Sequence, residues 1–175
     1  MSESLENFTN IVKEDIKEAK TLFFSEAFKE EYLKDRREEK ELYHQLLLGR
    51  NRNQILEEFL LSSGQKKPVL LSAAKTIYQA TIMNLDEPLE IKVKREGWGY
   101  LVGRIKSDGT FLSLHKNTFQ AEDFEDGTLT IYADMKTIPK DGDIDHLIIQ
   151  TVYQTLQIEV VYKEQKQDKK TIVCS

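Results

Sequence analysis

The spacing of apolar residues changes at Pro68, and that change constrains the fold of this chain more than any other feature. Before Pro68 they recur at three- and four-residue intervals, the period of a helix face. After it they alternate with polar residues, the period of a strand. Phe8, Val12, Ile16, Ala19 and Phe23 form one helical stripe, separated by Lys, Glu and Asp. Ser25 is a candidate cap for a new turn, after which Phe28, Tyr32 and Leu33 continue the pattern. The charged run DRREEKE over 35–41 reads as a connector and an exposed first turn ahead of Leu42, Tyr43, Leu46 and Leu47. Gly49 stands where a left-handed helix end is expected. Asn51 and Asn53 are N-cap candidates for a helix that carries Ile55, Leu56, Phe59 and Leu60 and closes at Gly64. Pro68 then ends the helical region, because it has no amide donor and biases Lys67 away from helix.

Beyond Pro68 the alternation predicts strands over 69–72, 76–83, 89–94, 100–106, 111–115, 128–134, 146–151 and 155–162. Turn signals separate them, among them Asp86-Glu87-Pro88, Asp108-Gly109, Asp126-Gly127 and Pro139 to Gly142. The clearest pair lies within 145–162, where Leu147, Ile149 and Thr151 share one face and Leu156, Ile158 and Val160 another, with a tight turn near 152–154. One hairpin is marginal in water, so this pair must join further strands and a second layer. The predicted fold class is α+β: short N-terminal helices, then an immunoglobulin-like antiparallel β-sandwich of seven or eight strands. The expected division is 1–67 helical, 68–163 sandwich and 164–175 a polar tail. The expected inward positions are Leu89, Ile91, Val93, Leu101, Ile105, Leu112, Leu114, Leu129, Ile131, Leu147, Ile149, Leu156, Ile158 and Val160.

Composition excludes several classes. With 39% hydrophobic and 31% charged residues the chain is an ordinary globular one rather than a disordered polymer. A net charge of -5 and only short basic clusters, Lys66–Lys67 and Lys169–Lys170, argue against a nucleic-acid partner; both clusters read as solvated. Nothing approaches the roughly 20 apolar residues of a bilayer span, and the polar start has no leader pattern, so a cytoplasmic location is expected. Cys174 is the single cysteine and closes no intrachain disulfide.

Few residues offer chemistry. Trp98 lies between two glycines with Tyr100 beside it; such loop aromatics stack on sugar rings, or plug a core. Asp141, Asp143 and Asp145 alternate like the opening of a calcium loop, but an EF-hand needs Gly at the sixth position and Glu at the twelfth, where this chain has His146 and Val152. The set is therefore only a weak metal candidate. His44, His115 and His146 have no companion at zinc spacing, Glu57–Glu58 are adjacent on a helix and point apart, and no nucleophile elbow or Gly-rich phosphate loop is present. No metal, cofactor or catalytic residue is expected. The stripe Phe8, Val12, Ile16, Phe23 and Phe28 is a candidate for packing on the sandwich or on a neighbouring domain.

Three segments, AKTLFFSEAFKEEYL over 19–33, RNRNQILEEFL over 50–60 and GWGYL over 97–101, resemble a family of large multidomain bacterial proteins of unknown function, in its helical linker plus immunoglobulin-like domain. The C-terminal pattern agrees: a short strand at 111–114, an acidic loop at 122–127, a strand at 129–134 ending in Asp, a Pro/Gly turn at 139–142 and a final hairpin at 147–160. The turn departs from the family, which tends to carry a second glycine near Asp143 and Asp145. The resemblance implies a module of a longer, repeat-built protein and carries over no catalytic residue. The expected function is a non-catalytic structural or interaction module, orienting neighbouring domains or docking a protein partner. The alternative is a carbohydrate-binding module using Trp98 and Tyr100.

Overall fold

Capping sets the first helices. In a computed structural model that describes residues 4–164, Ser4 opens α1 (Leu5–Glu14) by accepting the Asn7 amide at 3.0 Å. Asp15 ends α1, its amide bonded to the Ile11 carbonyl, and caps α2 (Ile16–Phe23) by accepting the Glu18 amide. α3 (Ala27–Tyr32) and α4 (Arg37–Leu46) follow, and α5 (Arg52–Ser62) starts at Asn51, which accepts the Gln54 amide. α5 ends in a Schellman turn: the Gln65 amide reaches back to the Leu60 carbonyl and the Gly64 amide to that of Leu61. Two expectations need correction. Ser25 caps nothing ahead of it, because its hydroxyl donates backwards to the Leu22 carbonyl. Gly49 is not left-handed; its amide bonds the Leu46 carbonyl in a tightened last turn.

The chain forms two compact units. One comprises the helices through Val69 together with Gly97–Tyr100; the other comprises Leu70–Glu96 and the chain from Leu101 onward. The linear division at residue 67/68 does not represent the short loop that returns to the helical unit. The tail over 165–175, with Cys174, lies outside the described residues.

The helical unit is built on aromatic rings. Phe8, Phe23, Phe28, Tyr32, Tyr43 and Phe59 are buried with ring centroids 4.7–6.1 Å apart, mostly edge-on or tilted. This geometry suits the ring quadrupoles. The Tyr43 hydroxyl donates to the Phe23 carbonyl at the C-terminal end of α2, and burial pushes its pKa up, which keeps the donor in place.

Among the described residues the second unit is a sandwich of nine strands, one more than the upper expectation. β1 (Leu70–Ala73), β3 (Leu89–Glu96), β7 (Thr128–Met135) and β5 (Leu112–Leu114) make one antiparallel sheet in that order. β2 (Ile77–Ala80), β9 (Thr155–Tyr162), β8 (Ile144–Gln150), β4 (Val102–Ser107) and β6 (Thr118–Gln120) make the other. All its pairs are antiparallel except β2 with β9, which are parallel. This is the A-B-E-D against G-F-C arrangement of an immunoglobulin-like sandwich, with β2 added beside G and β6 beside C. At one lateral margin the chain switches sheets between β1 and β2, and at the other between β5 and β6.

Ile91, Val93, Ile131, Ile105, Leu147, Ile149, Ile158 and Val160 fill the shared interior as the alternation required. Leu89, Leu114 and Leu156, expected inside, are half-buried. Among the described residues, polar ties cross between the sheets at three places. The Gln154 side chain accepts the Leu71 amide and donates to the Leu71 carbonyl, each at 2.7 Å. The Tyr78 hydroxyl accepts the Lys92 amide at 3.1 Å. The Asp145 carboxyl accepts the amides of Phe111 and Leu112 at 3.0 and 2.9 Å.

Candidate functional site

Trp98 marks the place where the chain between β3 and β4 enters the helical unit. Gly97 and Gly99 on either side have φ of 103° and 92°, a region that side chains disfavour, so the loop bends sharply about the ring. A Cβ on Gly99 would stand 3.0 Å from the Lys66 Nζ, which fills the inside of that bend. Lys66 donates to the Trp98 carbonyl at 2.6 Å, is paired with the carboxylate of Glu57 on α5, and sits 4.4 Å from the centre of the Trp98 ring. Lys13 of α1 lies 5.0 Å from the same ring. The side chains of Lys66 and Glu57 are almost wholly shielded, at 1% and 4% exposure. Trp98 itself is half-buried and packs on the aromatic core of the helical unit. Tyr100, also half-buried, has its hydroxyl 3.5 Å from the Asn51 amide nitrogen at the start of α5.

Chemically this arrangement is an anchor. An ammonium removed from water needs acceptors for its protons, and here a carboxylate, a backbone carbonyl and a π face surround it. The loop is thus fixed through its backbone as well as through the tryptophan ring. Sequence reasoning singled out Trp98 and Tyr100 but read Lys66 as solvated and gave Glu57 no partner. Both are corrected by their burial.

The other expected residues are distributed differently. Phe8, Phe23 and Phe28 are fully buried and make their ring contacts with one another and with Tyr32, Tyr43 and Phe59. They form the core of the helical unit rather than a face offered to a neighbour. Val12 is buried in the same cluster, while Ile16 is 43% exposed and stands outside it. The three aspartates do not converge. Asp141 accepts the Glu164 amide and Asp143 the Lys140 amide, whereas Asp145 is buried in β8 and bonded to the first amides of the β5 segment. Among the described residues no group of three or more His, Cys, Asp and Glu is placed to hold a metal ion.

A groove of about 800 Å³ runs beside β6, lined by Val102, Arg104, Lys116, Phe119, Asp123 and Gln150 among others. A smaller space of about 310 Å³ opens where β5 gives way to β6, bordered by Ile105, His115, Phe119 and Thr128–Tyr132. Among the described residues, no helix is long and apolar enough to cross a membrane.

A family model described as "Family of unknown function (DUF5717) N-terminal" matches residues 2–173. No curated protein matches the chain. Among solved structures, domains 4 and 5 of the S-layer protein SbsC align at 11% identity over 54% of this chain and 51% of that one, with a TM-score of 0.38. The E. coli chaperone DraB aligns at 6% identity over 54% and 55%, with a TM-score of 0.42. Titin domain M7 aligns at 12% identity over 55% and 94%, with a TM-score of 0.33. The match therefore takes in about half the length of the SbsC fragment and of the chaperone.

Proposed function

The chain belongs to this N-terminal DUF5717 family, and from that premise we propose that it is a non-catalytic structural and interaction module, orienting neighbouring domains or docking a protein partner within a larger protein. The observation that carries the reading is the Gly97–Tyr100 loop, which leaves the sandwich, is anchored in the helical unit by Lys66 and Trp98, and returns. Two bodies joined by one linker reorient freely by default. Here the chain passes from one unit to the other three times, at Val69–Leu70, Glu96–Gly97 and Tyr100–Leu101. Three crossings restrain a chain more than a single linker does. Its buried polar side chains are spent on backbone groups and on each other, as suits a scaffold.

The test replaces Gly97–Tyr100 with Gly-Ser-Gly-Ser and follows hydrogen exchange of α5 and of β8–β9 through a denaturant series. In the wild type both segments are expected to lose protection at the same denaturant concentration. In the variant α5 is expected to open first. Separate transitions in the wild type, or an unchanged coincidence in the variant, refute the coupling. Glycan-array binding by the wild type, abolished by Trp98→Ala with the fold intact, would instead establish a carbohydrate-binding module.

A further inference from the structure

The turn from β4 to β5 meets the start of β8 through two carboxyl groups that do not have equal surroundings. Asp108, at the turn, collects four donors. Its Oδ2 accepts from His146 Nδ1 at 2.7 Å and the His146 amide at 3.2 Å, and its Oδ1 from the Thr110 hydroxyl at 2.9 Å and the Thr110 amide at 3.3 Å. Asp145 is fully buried on the inward face of β8. Its Oδ2 accepts the Phe111 and Leu112 amides, whereas Oδ1 is buried and receives no N–H or O–H from any described group. Asp108 Oδ2 accepts the amide of His146, the residue after Asp145, so the two carboxyls flank the same stretch of β8. Two neighbouring carboxylates, one of them dehydrated, repel, and a proton on one of them relieves that repulsion.

Solvation and donors decide which one. Asp108 is partly exposed, with a side chain 38% accessible, and its four donors favour the ion. Asp145 is dehydrated, which favours the neutral acid. We propose that Asp145 is carried as a carboxylic acid whose Oδ1–H donates to the Asp108 carboxylate, and that this shared proton makes the tie between β8 and β5, and so between the two sheets, a pH-sensitive fastening.

The surrounding groups accord with that assignment. Burial above all, then the hydrogen bond and the negative charge of Asp108, hold the Asp145 carboxyl above the usual carboxylate range. The bond from Asp145 first, then those from His146 and Thr110, hold Asp108 well below it, against some opposition from burial. Other titratable groups facing the cluster are Glu159 of β9, with Oε1 3.9 Å from His146 Nε2, and Tyr162, whose ring packs on Phe111. Val160 stands opposite Asp145 and adds no charge.

The sign follows from proton linkage. Between the ordinary carboxylate value and the raised value of Asp145, the folded chain holds a proton that the unfolded chain has released. Stability from this group is therefore full at acid pH and lost as pH rises through the raised value. Asp108 acts oppositely, and its contribution is lost only as pH falls below the ordinary range. The pair is strongest near the ordinary carboxylate range and weakens towards alkaline pH.

Asp145→Asn preserves the shape of the neutral acid: its oxygen accepts the two amides and its Nδ2 donates to Asp108. Thermal midpoints of the full chain and of Asp145→Asn, measured from pH 4 to 9, are expected to diverge. The wild type should fall relative to the variant by about 3 °C or more as pH rises. A gap that is independent of pH, or that widens in favour of the wild type, overturns the proposal. Carboxyl carbon NMR of the wild type gives a readout independent of the variant. Asp145 should titrate above the ordinary carboxylate range, and a midpoint at or below that range overturns the proposal equally.

Discussion

Lys66 shows how one side chain fixes a loop. Lys66→Met removes the partner of a buried carboxylate while leaving Glu57 in place, and breaking such a pair costs about 3–5 kcal/mol. Denaturant unfolding should show a loss of that size for the single variant and recovery of most of it in Lys66→Met with Glu57→Leu. A single-variant loss below about 1 kcal/mol would mean that the pair is effectively solvated. The burial of Glu57 had a trace in the sequence. At about 100° per residue, Glu57 lies about 60° from Leu60 on the helical wheel, beside the arc of Ile55, Leu56, Phe59 and Leu60. Lys66 left no such trace, because it follows the turn at Gly64 and no period applies there. Asp145 was legible in the same way as Glu57. Counting back in twos from Ile149 and Leu147 puts it on the buried face, yet the neighbouring Asp141 and Asp143 made it read as part of a turn.

At the scale of elements, the strands with several alternating aliphatics were recovered and the one with a single aromatic was missed. β6 carries only Phe119 as an inward residue, and three residues with one apolar side chain show no alternation. Its place is set across the pair instead. Phe119 lies opposite Gly103 of β4, and its ring occupies the space over that glycine. A Cβ at Gly103 would fall 2.2 Å from the ring of Phe119 and 2.7 Å from the Gln150 carbonyl oxygen. Gly103→Ala should therefore cost about 1–3 kcal/mol, as overpacking does. Urea unfolding checks it: Phe119→Ala in the same chain should return part of the loss, and a neutral Gly103→Ala would show that β6 moves aside freely. β2 was overextended in the linear reading because Ile82 and Met83 continue an apolar run, but they belong to a short 3-10 turn, and both are exposed.

For the whole molecule, the order of strands predicts where opening is slowest. β3 and β7 lie inside one sheet, β9, β8 and β4 inside the other, and polar ties bind β3 and β8 across the interior. Amide exchange should be slowest in β3, β7, β8 and β9 and fastest in β5 and β6; uniform protection across the nine strands would contradict this core. The sheet-switching margins have a further consequence. The outermost strands β1, β2, β5 and β6 are only three or four residues long, and each sheet changes partner where a longer run would begin. A foreign segment finds no extended row of amides and carbonyls on which to template itself, so copies of this chain stay apart instead of fusing into fibres.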